Sequence, residues 1–273
     1  MGKMTEENRL VNDLVELIGK MQLPASHRSD ANTRRMYEHG LDIINSYRGH
    51  PDVFLQGLNV FQRTGSSAYA FAGIAFTLVI ASTDQDSYDE NGFMEAMKWL
   101  EKAQEWEPDS IEINFIEAVI YINSEQYQNA RLVLDHLAGL NPNNYYLALT
   151  EMNFHRKRLH KNQYFDWLQK ANKLANTPAR QANVLNSAAS YFLREGNYRE
   201  SIKFYHEVTK LDPNDAWAWH NMSWMFVRMD KYEDAHLCNQ KALSIMDFGA
   251  ARNIESQIKE KKGGGLGRFF GRK

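Results

Sequence analysis

Residues 182–215 read ANVLNSAASYFLREGNYRESIKFYHEVTKLDPND, and residues 216–249 read AWAWHNMSWMFVRMDKYEDAHLCNQKALSIMDFG. In the first stretch Ala188, Ala189 and Phe192 recur at helical spacing and make one small, apolar face. Gly196 and Asn197 break that helix, and glycine can take the left-handed cap. Tyr198 opens a second helix carrying Ser201, Tyr205 and Val208, which Pro213 ends. The second stretch repeats the plan with Trp219, Met222, Ser223, Phe226, Tyr232, Ala235 and Ala242. Small residues let the helices of a pair approach closely, and large ones fill the gaps between pairs.

The same step of 34 residues runs outward from this core. It separates Pro108 from Pro142, Phe93 from Tyr127, Tyr198 from Tyr232, Ala96 from Ala130 and Ser201 from Ala235. Pro213 lies 71 residues beyond Pro142, two periods plus three. A fixed period of this size marks stacked helix pairs, each burying its apolar face against its neighbours. The expected fold is an all-α solenoid of stacked helix pairs, without β-sheet; the resemblance these residues carry to a known repeat family implies a right-handed superhelical form of about five to six pairs.

These residues resemble the tetratricopeptide repeat (TPR) family, whose first helix carries a bulky residue, a small one, then an aromatic, and whose second carries Ala, aromatic, Ala and ends before Pro. Residues 111–144 match through Ala118, Tyr121, Tyr127, Ala130 and Pro142, departing at Asn114, where a bulky residue is expected. Residues 66–110 match through Tyr69, Gly73, Phe76, Phe93, Ala96, Ala103 and Pro108, with about 11 extra residues around Ser82 to Asn91. Residues 145–181 are degenerate: Tyr164 replaces the small residue, and only Leu168 and Ala171 hold register. Residues 33–65 have the length of a unit but few signature residues.

The expected organisation is a helical cap with a degenerate repeat at 1–65, the repeat solenoid at 66–249, a capping helix at 250–262 and a basic, aromatic tail at 263–273. Residues 5–20 read as an amphipathic helix through Leu10, Leu14, Leu17 and Ile18, and Ile254 and Ile258 share one side of the last helix. Solenoids need polar end elements over their last apolar faces. Gly263, Gly264 and Gly265 are expected to stop the helix and tether the tail.

Composition excludes several classes. The 273 residues are 43% apolar with a formal net charge of −2, so no global field recruits nucleic acid. A lone Cys238 excludes an internal disulfide, and the N-terminal residues lack an apolar signal core. The longest apolar stretch, Ala68 to Ala81, is 14 residues, which suits a core helix and not a bilayer span. A cytoplasmic protein, membrane-peripheral if the tail attaches it, is the simplest expectation. Asn221-Met222-Ser223 formally matches a glycosylation acceptor but falls within a helix.

No catalytic constellation is found: no phosphate loop, no Gly-x-Ser-x-Gly elbow, no His-Glu-x-x-His. No enzyme activity, cofactor or metal is expected. His155 and His160 are five apart and so do not share a helix face. Cys238 reads as a packing residue. Asp84, Asp86 and Glu95 fall at positions 1, 3 and 12 of a calcium loop, but Tyr88 and Asp89 occupy the fifth and sixth positions, where a ligand and glycine are needed. A solvated insertion is the expectation.

The family resemblance implies that the first helix of each pair lines a concave groove. The implied groove positions hold Tyr146, Asn153, Arg156 and Lys157 in one unit, and Asn183, Asn186, Ser190 and Arg194 in the next. The last holds Trp217, His220, Asn221, Trp224 and Arg228. Such a surface suits a peptide or helix of a partner protein bearing acidic and apolar side chains. The alternative for Lys157, Arg194 and Arg228 is that each complements the C-terminus of its own helix. The family's carboxylate clamp needs a first-helix Lys that is absent, which disfavours a co-chaperone of chaperone tails. The leading function is a protein-interaction scaffold or assembly factor. The alternative is a membrane-peripheral adaptor, its tail residues Leu266, Arg268, Phe269, Phe270 and Arg272 contacting an anionic surface or a partner.

Overall fold

The computed structural model describes residues 6–25, 30–47, 50–84 and 87–267, which form two compact units divided between Leu174 and Ala175. In the first unit, α1 (Glu6–Lys20) precedes the pairs α2 (Ala31–Asn45) with α3 (Asp52–Arg63), α4 (Ala68–Ala81) with α5 (Glu90–Gln104), α6 (Ile111–Asn123) with α7 (Tyr127–Leu140), and α8 (Tyr145–Lys157) with α9 (Lys161–Leu174). In the second, α10 (Pro178–Arg194) pairs with α11 (Tyr198–Leu211), α12 (Ala216–Arg228) with α13 (Tyr232–Ile245), and α14 (Gly249–Gly267) follows. Seven helices open on a side chain that satisfies free backbone N–H groups: Asp30, Ser67, Asp89, Asn144, Thr177, Asn197 and Asp215.

Four pairs are closed by one and the same turn. At α6–α7 the Gln126 N–H donates to the Tyr121 carbonyl at 2.8 Å, and the Glu125 N–H to Ile122. The same two bonds recur at α8–α9 (His160 to His155, Leu159 to Arg156), α10–α11 (Asn197 to Phe192, Gly196 to Leu193) and α12–α13 (Lys231 to Phe226, Asp230 to Val227). This is the Schellman arrangement, and its pivot residue must have positive φ. The pivots are Glu125 (φ 60°), Leu159 (58°), Gly196 (70°) and Asp230 (57°). Only one of them is glycine, so three turns carry the steric cost of a Cβ in the left-handed region.

Small residues hold the paired helices close. Ser201 Oγ donates to the Ala189 carbonyl at 2.7 Å, and Ser223 Oγ to the Ala235 carbonyl at 2.7 Å. Between units of the repeat the filling is large: Tyr205, Val208, Met222 and Met225 form one buried cluster with Leu185, Phe204, Trp219 and Cys238 packed on it. The helix α14 lays Ile254 and Ile258 against Ala235, with Trp224, Phe226 and Val227 alongside.

In the first unit α4 touches α1, α2, α3, α5 and α6, which is why it is apolar on every side. Phe61 is set between two glycines: a Cβ on Gly40 would lie 2.2 Å from its ring, and one on Gly73 2.4 Å. Asn114, the departure from the family pattern, is buried and anchors the α5–α6 connection, donating to the Pro108 carbonyl and accepting from Gln104 at 3.0 Å. Tyr164, where the pattern wants a small residue, is fully buried.

Three expectations are corrected. The insertion after α4 contains a two-residue antiparallel pair, β1 (Thr83–Asp84) with β2 (Ser87–Tyr88), so β pairing is not wholly absent. A short hairpin lets extra residues leave and return to the same helix ends. Asp89, one of its acidic residues, caps α5 by accepting from the Gly92 N–H at 2.8 Å. On α1 the buried stripe is Val11, Leu14 and Ile18, while Leu17 is 41% exposed, because the helix packs on α4 and α5. Finally, α14 runs through Gly263–Gly265 to Gly267. Glycine lowers helix propensity by about 1 kcal/mol per residue without forbidding the conformation, and a helix docked upstream can continue through it.

Two stability outcomes follow. Leu159 is 89% exposed, so Leu159→Gly removes strain without removing packing. Stability should rise by up to about 1 kcal/mol, offset in part by the greater freedom of glycine in the unfolded chain. A lower urea midpoint for this variant would contradict the assignment. Gly73→Leu should cost about 1–3 kcal/mol or more by overpacking against Phe61. An unchanged melting temperature would show that the slot does not exist.

Candidate functional site

The first-helix positions divide sharply by environment. In α8 Tyr146 is 2% exposed, stacked on Phe115 at 4.9 Å, so it belongs to the core and not to an open surface. Two residues earlier, Asn144 spends its side chain capping the helix, which fixes where Tyr146 starts its first turn. Asn153 accepts two bonds from Arg156, Nε at 3.1 Å and Nη2 at 2.6 Å, a pair one helical turn apart. Lys157 is the last residue of α8 and half-buried.

In the second unit two expected residues meet at one hydroxyl. Ser190 of α10 and Asn221 of α12 both reach Tyr205 Oη of α11, at 3.4 Å and 3.0 Å. Asn186 is buried one turn before Ser190, and Asn183 is half-buried beside it. Asn221 is thus spent on Tyr205 and Ser223 on a carbonyl, so the formal glycosylation match is part of helix packing. Arg194 and Arg228, the last residues of α10 and α12, are exposed. The Arg228 guanidinium lies over the Trp224 ring at 4.8 Å, and Tyr198 meets the same indole edge-on at 5.7 Å.

Trp217 and His220 form a third group with Phe248, a residue that sequence reasoning did not single out. The rings of Trp217 and Phe248 are 4.6 Å apart, and those of His220 and Phe248 5.3 Å. Trp217 Nε1 and His220 Nδ1 are buried without a hydrogen-bond partner. Burial lowers the His220 pKa, since an imidazolium among aromatic rings loses its hydration.

Two further expectations are settled in physical terms. Cys238 packs on the second unit's core, and burial, with Asp234 nearby, pushes its thiol up to about 11. His155 and His160 are brought together despite their spacing: Nδ1 to Nδ1 is 3.2 Å. The helix ends between them, and the left-handed Leu159 folds His160 back over the last turn. Among the described residues no group of three or more His, Cys, Asp or Glu side chains is gathered as a metal site, and no helix is long and apolar enough to cross a membrane. Arg268, Phe269, Phe270 and Arg272 lie outside the described residues, as does the side chain of Leu266.

Residues 182–215 match the family model described as Tetratricopeptide repeat. No curated protein matches the chain in sequence. Among solved structures it is similar to a chain of the APC/C hetero-tetramer Cut9-Hcn1 at 12% identity, covering 93% of this chain and 46% of that one, with a TM-score of 0.57. It is also similar to YrrB, a TPR protein with an unusual peptide-binding site, at 19% identity over 69% of this chain and 92% of that one, with a TM-score of 0.44. A third likeness is to MamA 41-end from Desulfovibrio magneticus RS-1, at 17% identity over 65% and 94%, with a TM-score of 0.45. With the helix pairs described above, the fold is an all-α solenoid of stacked helix pairs.

The buried His220 gives stability a pH dependence of definite sign. Its pKa is depressed on folding, so the unfolded chain binds the proton more tightly. The contribution is complete above the ordinary imidazole value of about 6.5 and is lost as pH falls through the depressed one. His155, also depressed by burial, adds in the same direction. Urea midpoints should therefore drop on acidification from neutrality, and His220→Gln should flatten part of that slope. An identical slope in the variant would show that His220 is solvated.

Proposed function

This chain is a tetratricopeptide repeat protein, and from that premise we propose that it is a non-catalytic scaffold whose second unit grips an extended or helical segment of another protein. The observation that carries this reading is the meeting of Ser190 and Asn221 at Tyr205 Oη, flanked by exposed Arg194 and Arg228. It supports a shared surface for the first helices α10 and α12, with polar groups already ordered and two cations at its edge. Asn183, Trp217 and Trp224 complete that surface in this reading, with Asn186 and His220 buried beneath it. Arginine recognises carboxylates through paired N–H donors, and a guanidinium lying on an indole offers an apolar flank as well. The segment it takes carries acidic and apolar side chains. A scaffold of this kind holds partners in place and performs no bond chemistry.

A phage-displayed peptide library selected on the purified chain tests this. Enriched sequences should carry Asp or Glu beside apolar residues, and their binding should weaken with salt because part of the attraction is screened Coulomb energy. Arg194→Glu with Arg228→Glu should abolish the enrichment while circular dichroism stays unchanged. Equal enrichment on the double variant would leave the two arginines as helix-end charges only.

A further inference from the structure

The four equivalent turns differ in what they bring together. The Schellman arrangement sets the side chain that starts the last helical turn beside the residue after the pivot. In three turns that pair is an aromatic with a polar residue: Tyr121 with Gln126, Phe192 with Asn197, Phe226 with Lys231. In the turn between α8 and α9 both positions are histidine, His155 and His160.

The two imidazoles meet at hydrogen-bond distance, which is also the separation of two imidazole ligands on one metal ion. Two ligands at the zinc–imidazole bond length and a tetrahedral angle stand about 3.3 Å apart. The two Nδ1 atoms stand 3.2 Å apart. Main-chain bonds hold them there: the His160 N–H donates to the His155 carbonyl at 2.9 Å, and the His160 carbonyl accepts from the Tyr164 N–H at 2.9 Å. The far edge of His155 lies near a carboxylate. Its Nε2 faces Glu151 Oε2 at 3.6 Å. Glu151 is buried and gripped by both terminal nitrogens of Arg131, at 2.6 and 3.0 Å. A carboxylate on that side of the ring favours a proton on Nε2, which would leave Nδ1 its lone pair. The positive charge of Arg131 is balanced by Glu151 and by Asp135 at 2.9 Å.

We propose that His155 Nδ1 and His160 Nδ1 form a two-ligand site for a borderline divalent transition metal, Zn2+ foremost, with water in the remaining positions. Imidazole nitrogens suit Zn2+, Cu2+ and Ni2+, whereas Mg2+ and Ca2+ take oxygen donors. Glu151 is spent on Arg131, so it does not ligate. Binding the ion breaks the hydrogen bond between the two nitrogens, and its proton leaves to solvent or moves to the outer nitrogen of its ring.

The test is calorimetric titration of the full chain, carrying no affinity tag, with zinc chloride near neutral pH in a non-chelating buffer. One saturable equivalent of zinc is expected, with no heat from magnesium chloride. His160→Gln should weaken zinc binding by more than about tenfold, the least loss expected when a ligand itself is removed. His136→Gln, a histidine elsewhere on the first unit, should leave the isotherm unchanged. Zinc should also raise the melting temperature of the wild type and not that of His160→Gln, since a ligand of the folded state stabilises it by mass action. The absence of saturable heat in the wild type, or an unchanged isotherm in a His160→Gln variant that circular dichroism shows folded, overturns the assignment.

Discussion

A residue forced into the left-handed region is the constraint on which the four regular pairs depend. Antiparallel helices joined by so short a link must reverse within a few residues, and only a positive-φ pivot allows the two main-chain bonds that close the turn. The pivots Glu125 and Leu159 are 34 residues apart, as are Gly196 and Asp230. That spacing is the period visible in the sequence, so the repeat is first a repeat of turn geometry. The contacts that follow, such as the serine hydroxyl on a facing carbonyl at Ser201 and again at Ser223, need helices placed to within a fraction of an ångström. A net contribution of about 1 kcal/mol per such bond depends on the turn holding that distance.

Most of the fold was legible because the period fixes lengths. The pairs from α4 to α13 fall where prolines, aromatics and small residues predict them, and α4 spans the apolar run Ala68–Ala81 end to end. The site was less legible, for a reason visible in particular residues. A repeat position says which helix a side chain is on, not how deep it lies. Tyr146 and Arg194 were assigned to one surface from equivalent reasoning, yet one stacks in the core on Phe115 and the other is open to solvent. Phe248 was missed because it lies between helices, where no periodicity speaks. The pairing of His155 with His160 was missed because helix-face reasoning assumes that the helix continues. The signal was present in the alignment of Leu159 with the pivots Gly196 and Asp230, and reading the turn first would have found it.

The two readings of Arg194 and Arg228 do not compete once magnitudes are compared. A cation at an exposed helix C-terminus contributes about 0.3–1 kcal/mol through the helix dipole. That interaction uses the charge at long range and leaves the guanidinium donors unspent. A bound carboxylate uses the donors. The same side chain can therefore steady its helix in the free protein and recognise an anion in a complex, and the stacking of Arg228 on Trp224 restricts the rotamers it must give up on binding.

The turns also show how a repeat acquires a local difference at little cost to the fold. Both bonds of each closing motif run between main-chain atoms, so the motif itself does not specify the flanking side chains. Tyr121 and Gln126, or Phe226 and Lys231, can be exchanged for other residues while the backbone path stays the same. What the motif does impose is backbone proximity between those two positions. Where the pair is aromatic and polar, the result is packing beside a solvated group. Where both are imidazoles, the result is two nitrogens held at 3.2 Å by a backbone that would have brought any other two residues together just as firmly. The chemistry of that turn is therefore set by two residues, and its geometry by the repeat.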